Sequence, residues 1–369
     1  MKRFLILLAI AVSATVPALV LRILGWFPNP IVDTGIFGLG ILAAGFLLSW
    51  GAEAAESRIA QGLILALVAL ITVLPEYAVD IYYGYKAGVA GPDSPYVQYA
   101  AANMTGANRL LVGVAWPLMV LLHWMKDGHR SVALSRAAVN EIGFLALASA
   151  YSFVIVLKQT ISLIDLAFLF AIFGAYVWRI RNVEKDGSPA EEEEPGPAAA
   201  LKVLPVGQQW AVMAGLFVFA AVVILLSAEP FAEAMVGTGR AIGLNEFLLI
   251  QWLAPLASEA PAITIAILFV QANRSSDGLT AMISDKINQW TLLVAMLPLA
   301  YSIGRGAISA LPLDARQGEE FFLTAAQSLF AIALLLRLQL GIWSAAAFVI
   351  VILFAVLMLT MRGRSNGSD

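Results

Sequence analysis

Long apolar runs separated by short polar turns make up most of this chain. A helix needs about 20 mainly apolar residues to cross the hydrocarbon core of a bilayer. Eleven stretches qualify: 4–24, 33–50, 60–86, 97–123, 139–157, 161–180, 208–227, 243–271, 277–302, 318–337 and 341–361. Several exceed the minimum, so tilt or internal breaks are expected in them. Two carry polar residues at their centres. Gly62–Gly84 holds Thr72-Val73-Leu74-Pro75-Glu76 and then Asp80; Gly243–Gln271 holds Ser258-Glu259-Ala260-Pro261. An ionised carboxylate at mid-depth costs roughly 2.5–3.5 kcal/mol even on a lenient insertion scale, and such acids are usually functional. Proline removes a backbone donor and frees a carbonyl. In a membrane that is tolerated where the freed group lines a cavity or meets protein.

Composition narrows the class. Apolar residues make up 60% of the chain, against about 45–50% in globular proteins. The expectation is an all-α integral membrane protein of about 10–11 transmembrane helices, with the bilayer as its main partner. There is no cysteine, which excludes disulfides and thiol chemistry. The two histidines, His123 and His129, lie near one helix end and cannot form a relay across the chain. Nothing points to a nucleic-acid partner, and the net charge of −3 is accounted for by Glu191–Glu194. The opening Met1-Lys2-Arg3 and apolar run to Leu24 read as an uncleaved first helix rather than a signal peptide. Lysines and arginines favour a cytoplasmic N-terminus, twelve against eight, most clearly around 126–136 and 179–185. The expected location is the cytoplasmic (inner) membrane of a prokaryote. Trp26, Trp50, Trp124 and Trp178 are expected at the membrane interfaces.

The stretch 181–207 is acidic and proline-rich and reads as a disordered cytoplasmic linker. It divides the chain into an extra helix (1–30), a first repeat (31–180), the linker itself and a second repeat (208–369). The halves correspond beyond the two acidic runs. Leu48-Ser49-Trp50-Gly51-Ala52-Glu53 precedes the first, and Leu226-Ser227-Ala228-Glu229 precedes the second. After them come Asn103-Met104-Thr105-Gly106-Ala107-Asn108, continuing to Pro117, and Ser284-Asp285-Lys286-Ile287-Asn288-Gln289, continuing to Pro298. Aligning the prolines pairs Asn103 with Ser284 and Asn108 with Gln289; aligning the Leu-Leu-Val tripeptides shifts the register by one. With the N-terminus inside, the two acidic runs have opposite senses, as an inverted repeat requires.

These motifs resemble the cation/calcium antiporter superfamily, which includes the sodium/calcium exchangers. Its members carry Gly-Thr-Ser-Leu-Pro-Glu on one helix of each repeat and Asn-x-x-Gly-Ser-Asn on the next. Here Ile71-Thr72-Val73-Leu74-Pro75-Glu76 and Asn103–Asn108 match the first repeat; Ala254-Pro255-Leu256-Ala257-Ser258-Glu259 and 284–289 match the second more loosely. The resemblance implies a sodium/calcium exchanger-like fold of two inverted-topology repeats. Val73 stands where the family has a serine, and the second repeat lacks both hydroxyls of its motif, residues that help build sodium sites in the exchangers. Asp80, Asp285, Lys286 and Arg109 are additions to the pattern.

A hard divalent cation takes about six to eight oxygen ligands. Glu76 and Glu259 are the natural pair of carboxylates. Thr72 and Asp80 lie one turn to either side of Glu76, and Ser258 adjoins Glu259. Asn103, Asn108, Ser284, Asp285, Asn288 and Gln289 offer further oxygens. Two close buried carboxylates cannot both stay ionised cheaply, so a proton can replace the metal. The functional expectation is antiport of Ca²⁺ or a similar cation against H⁺ or Na⁺ by alternating access. A Na⁺/H⁺ exchanger on the same scaffold is the alternative, and a cation channel or membrane sensor a lesser one. No enzyme signature is present, and the expected ligands are the transported cations, with no cofactor. Lys286 either pairs with a site acid as a permanent cation or snorkels to the boundary. Arg109 is expected in a structural ion pair, and Glu141 and Asp165 are expected to be packing or boundary acids.

Overall fold

The computed structural model describes residues 1–56, 73–136, 138–181, 197–351 and 353. Among them, eight helices are long and apolar enough to cross a membrane. The helices are α1 (Lys2–Leu24), α2 (Pro30–Glu56), α3 (Leu74–Ala90), α4 (Pro95–Leu110), α5 (Trp116–Asp127), α6 (Ala138–Lys158), α7 (Leu163–Arg181), α8 (Val206–Ile242), α9 (Glu246–Gln271), α10 (Ser275–Asn288), α11 (Val294–Arg305), α12 (Ala315–Leu335) and α13 (Ile342–Val351). Each of the two polar helices α4 and α10 runs without a break into its successor through one π turn, at Leu111–Ala115 and Gln289–Leu293. π turns inside α-helices occur frequently at functional sites.

Four short strands tie the halves together. Ser131–Ala133 (β1) pairs antiparallel with Gln339–Gly341 (β4), and Thr160–Ile161 (β2) with Leu311–Pro312 (β3). Each ladder joins a strand of the first half to one of the second, as pseudo-two-fold repeats would. The chain's own contacts fix the helix directions. Lys126, at the end of α5, donates to Gln271 O and Asn273 Oδ1 at the α9–α10 turn. Tyr99, in the second turn of α4, meets Arg240 and Glu246 at the α8–α9 turn. So α3 ends on the face where α9 begins, and the two acidic helices run in opposite senses.

Several expectations are revised. The helix expected at 208–227 continues through Pro230 to Ile242, with Pro230, Phe231, Ala232, Met235 and Val236 packed inside the protein. Residues 197–203, read as part of a disordered linker, form a 3₁₀ turn held by buried Leu201; the acidic tract 182–196 lies outside the described residues. Trp26, Trp124 and Trp178 are exposed, as interface residues should be, but Trp50 is buried and packs against Phe4 and Phe46. Neither proposed register superposes the π turns. Aligning the turns themselves places Asn108 opposite Lys286.

Close crossings rest on glycine. Lipid offers helices no hydrophobic reward for association, so small residues that let backbones touch become the means of packing. Gly84 and Gly88 of α3 face Ala300 and Gly304 of α11; a Cβ at Gly88 would stand 2.9 Å from the Arg305 backbone nitrogen and from Gly304 Cα. Backbone cannot swing aside as a side chain can. Gly88→Val is therefore expected to reach the upper end of overpacking costs, about 3 kcal/mol. Gly215→Val, where a Cβ meets nothing within 4 Å, should change little. Thermal unfolding of the two detergent-purified variants against wild type checks this; equal midpoints would refute the crossing.

Candidate cation-binding site

Glu76 lies in the first turn of α3, directly after Pro75. Proline at that position sacrifices no helical hydrogen bond, because the first N–H groups of a helix have no partner within it. A helix start is a favourable place for negative charge. Glu259 lies inside α9, between Pro255 and Pro261. Both acids are buried, at 3% and 5% exposure. Both face one cavity, and two close buried carboxylates cannot both stay ionised cheaply. Gly45 of α2 allows this approach: a Cβ there would stand 2.8 Å from Pro261 Cγ and 3.7 Å from Pro75 Cγ.

Glu76, Ser258, Glu259 and Asp285 line one cavity of about 250 Å³. It continues past Met282 and Phe269 to Asp277, whose side chain is half exposed. The pair is thus reachable from the face that carries the α9–α10 turn. Towards the other face the elements are closed. Tyr82 and Tyr96 donate to Glu233 Oε1 at 2.5 and 2.7 Å, and Tyr83 donates to the Ala232 carbonyl at 3.0 Å. These bonds bind α3 and α4 to α8.

The remaining expected ligands divide into groups. Gln289 Nε2 donates to Glu259 Oε1 at 2.6 Å. Asn288 Oδ1 accepts from Tyr77, the neighbour of Glu76, at 2.7 Å. Asp80 is fully buried and accepts from Asn103 at 2.8 Å; neither lines the cavity. Asn108 is turned towards Lys286. Ser284 is hydrogen-bonded to Tyr176 of α7 instead of facing the acids; successive helical residues are about 100° apart, so Ser284 and Asp285 cannot serve the same face. Thr72 lies outside the described residues.

Among the described residues no three acidic or histidine side chains converge on one point, so the centre is a two-carboxylate arrangement. It suits a cation nonetheless. Glu76 Oε1 and Gln289 Oε1 are buried acceptors without a hydrogen-bond partner, and buried polar groups in that condition need an explanation. A cation supplies one.

Arg109 forms the expected ion pair, with Glu320 of α12. Asp165 takes Lys158, Tyr151 and Ser162 at the α6–α7 turn, a boundary role. Four polar residues escaped the sequence reading: Asp277, Glu233, Gln251 and Glu320. Glu233 had a signal, because it stands four residues after Glu229 in a run that remains apolar to Val236.

The fold and the buried acids on opposed helices define a membrane exchanger of inverted-repeat architecture. A family model described as "Sodium/calcium exchanger protein" matches residues 32–180. The solved H⁺/Ca²⁺ exchanger CAX is 40% identical, with a TM-score of 0.90, over 96% of this chain and 88% of that one. The chain belongs to the cation/calcium exchanger superfamily. Native YfkE shares the fold at 13% identity and a TM-score of 0.68, covering 96% of this chain and 99% of that one. The sodium–calcium exchanger NCX_Mj does so at 17% and 0.57, covering 89% and 99%. No curated protein sequence matches.

Proposed function

We propose that this cation/Ca²⁺ antiporter exchanges Ca²⁺ for H⁺, at a site centred on Glu76 and Glu259 in the inner membrane of a prokaryote with the N-terminus cytoplasmic. The observation that carries the reading is that two buried carboxyl groups on oppositely directed helices face one cavity. With calcium present, both carboxylates ionise, and Gln289, Ser258 and backbone carbonyls complete an oxygen shell. With calcium absent, a proton holds the pair together. The occupants exclude one another, so transport of one requires return of the other. The 40% identity to a protein described as an H⁺/Ca²⁺ exchanger supports the same coupling.

In this state the cavity opens past Asp277 while the tyrosine–Glu233 bonds close the opposite face. Transport requires those bonds to break as the cavity shuts.

In proteoliposomes, an imposed pH gradient without sodium is expected to drive calcium uptake, and collapsing the gradient with a protonophore to stop it. Uptake that instead demands a sodium gradient would reject proton coupling.

A further inference from the structure

Lys286 is 1% exposed, in the last turn of α10, where the helix runs on through the π turn into α11, so it stands at no helix boundary to which it can snorkel. Among the described residues it forms no ion pair. Its ammonium instead rests on two neutral oxygens of one residue of the other repeat, Asn108 Oδ1 at 2.9 Å and Asn108 O at 3.2 Å. Asn108 is arranged to present both. Its amide nitrogen is committed to the Met104 carbonyl and sulfur, which turns Oδ1 towards Lys286. The other nearby cation, Arg109, has its own carboxylate in Glu320 and leaves Lys286 as a separate positive charge. Aligning the π turns places Asn108 and Lys286 at equivalent positions, so the contact joins corresponding points of the two repeats.

Burying a charge without a counter-charge is expensive, so this arrangement calls for a reason. A side-chain amide and a backbone carbonyl are oxygen ligands suited to a small hard cation. They are also the groups an ammonium can use. We propose that the Lys286 ammonium is a tethered cation that fills a monovalent-cation position between α4 and α10, and so makes the exchanger independent of sodium. It is a specificity-determining residue: it contributes no ligand to the transported ion but denies Na⁺ the Asn108 oxygens between α4 and α10. The inference rests on the antiport reading and names the ion that is refused.

Lys286→Ala removes the ammonium and leaves the Asn108 oxygens free, and Lys286→Arg keeps a charge there. Purified wild type, K286A and K286R are heated in sodium, potassium or choline chloride at equal ionic strength. Sodium is expected to raise the melting temperature of K286A alone, since a ligand that binds only the folded state stabilises it by mass action. It is also expected to make pH-driven calcium uptake by K286A sodium-sensitive, with roughly tenfold inhibition at about ten times its dissociation constant. A folded K286A indifferent to sodium overturns the proposal, as does a sodium-specific shift in wild type. If K286A does not fold, Lys286→Gln, which keeps a donor for Asn108, replaces it. If neither folds in choline, the proposal expects sodium in the medium to restore folding, and failure of that rescue refutes it. Loss of pH-driven uptake in wild type would strike the proton-coupling reading and leave the sodium result for K286A standing.

Discussion

Glu76→Gln and Glu259→Gln are each expected to abolish pH-driven calcium uptake while leaving a folded, monodisperse protein. Glutamine keeps the volume and one carbonyl oxygen but has no charge to offer calcium and no proton to exchange. A hydrogen bond or contact to a charged group is worth about 1.5–3 kcal/mol, and each 1.36 kcal/mol is tenfold. Binding should therefore fall roughly a hundredfold from one lost charge. Coupling should vanish altogether, because an amide cannot alternate between proton and metal. Stability should move the other way. Two buried carboxyl groups can stay together only with a shared proton, and replacing one by an amide removes that condition. Uptake in vesicles and thermal unfolding in detergent separate these effects. Wild-type transport by either variant would remove that glutamate from the site, and a fall in stability with intact binding would mark it as structural.

Much of this pair was legible in the chain. An acid beside proline inside an apolar span is costly in lipid, and two such spans invite comparison. The opposed directions followed from counting helices between them. The helix faces were harder to read. Ser284 and Asp285 are neighbours in sequence, yet one meets Tyr176 and the other lines the cavity, and only the roll of α10 decides which. The register of the polar helices was hidden for a related reason. Each contains a π turn, which inserts backbone without any residue type that marks it. Trp50 failed as an interface marker because α1 lies over it and supplies Phe4, so the interface rule met a protein neighbour in place of lipid. Glu320 went unnoticed because it is one of two adjacent glutamates near a helix start, where acids are ordinary. Its partner Arg109 was the real signal, since a mid-span arginine demands an acid somewhere.

That demand leads to a large expected effect on folding. Arg109 and Glu320 are both wholly buried. Arg109 also donates to the Glu320 backbone carbonyl at 3.2 Å. Gln251 donates to Glu320 Oε2 at 3.1 Å and to Thr105 Oγ1 at 3.3 Å, drawing α9 into the same contact. Gly106 lets α4 lie directly on the Gln251 backbone there. Removing one member leaves the other charged and unpaired in a dry interior, which costs about 3–5 kcal/mol, a large share of the roughly 5–15 kcal/mol typical of folded proteins. Arg109→Met and Glu320→Met are each expected to reduce the yield of folded protein sharply. The pair R109M/E320M should recover most of it, because replacing a whole buried ion pair by apolar groups of similar volume is often neutral. A double-mutant cycle on unfolding midpoints measures the coupling. The pair does not line the carboxylate cavity, so the double variant should retain pH-driven calcium uptake. Additive losses in the cycle would show that the two charges act independently. A stable double variant without transport would place Arg109 and Glu320 in the transport cycle itself, as the ionic contact that holds α4 to α12 while the cavity is open.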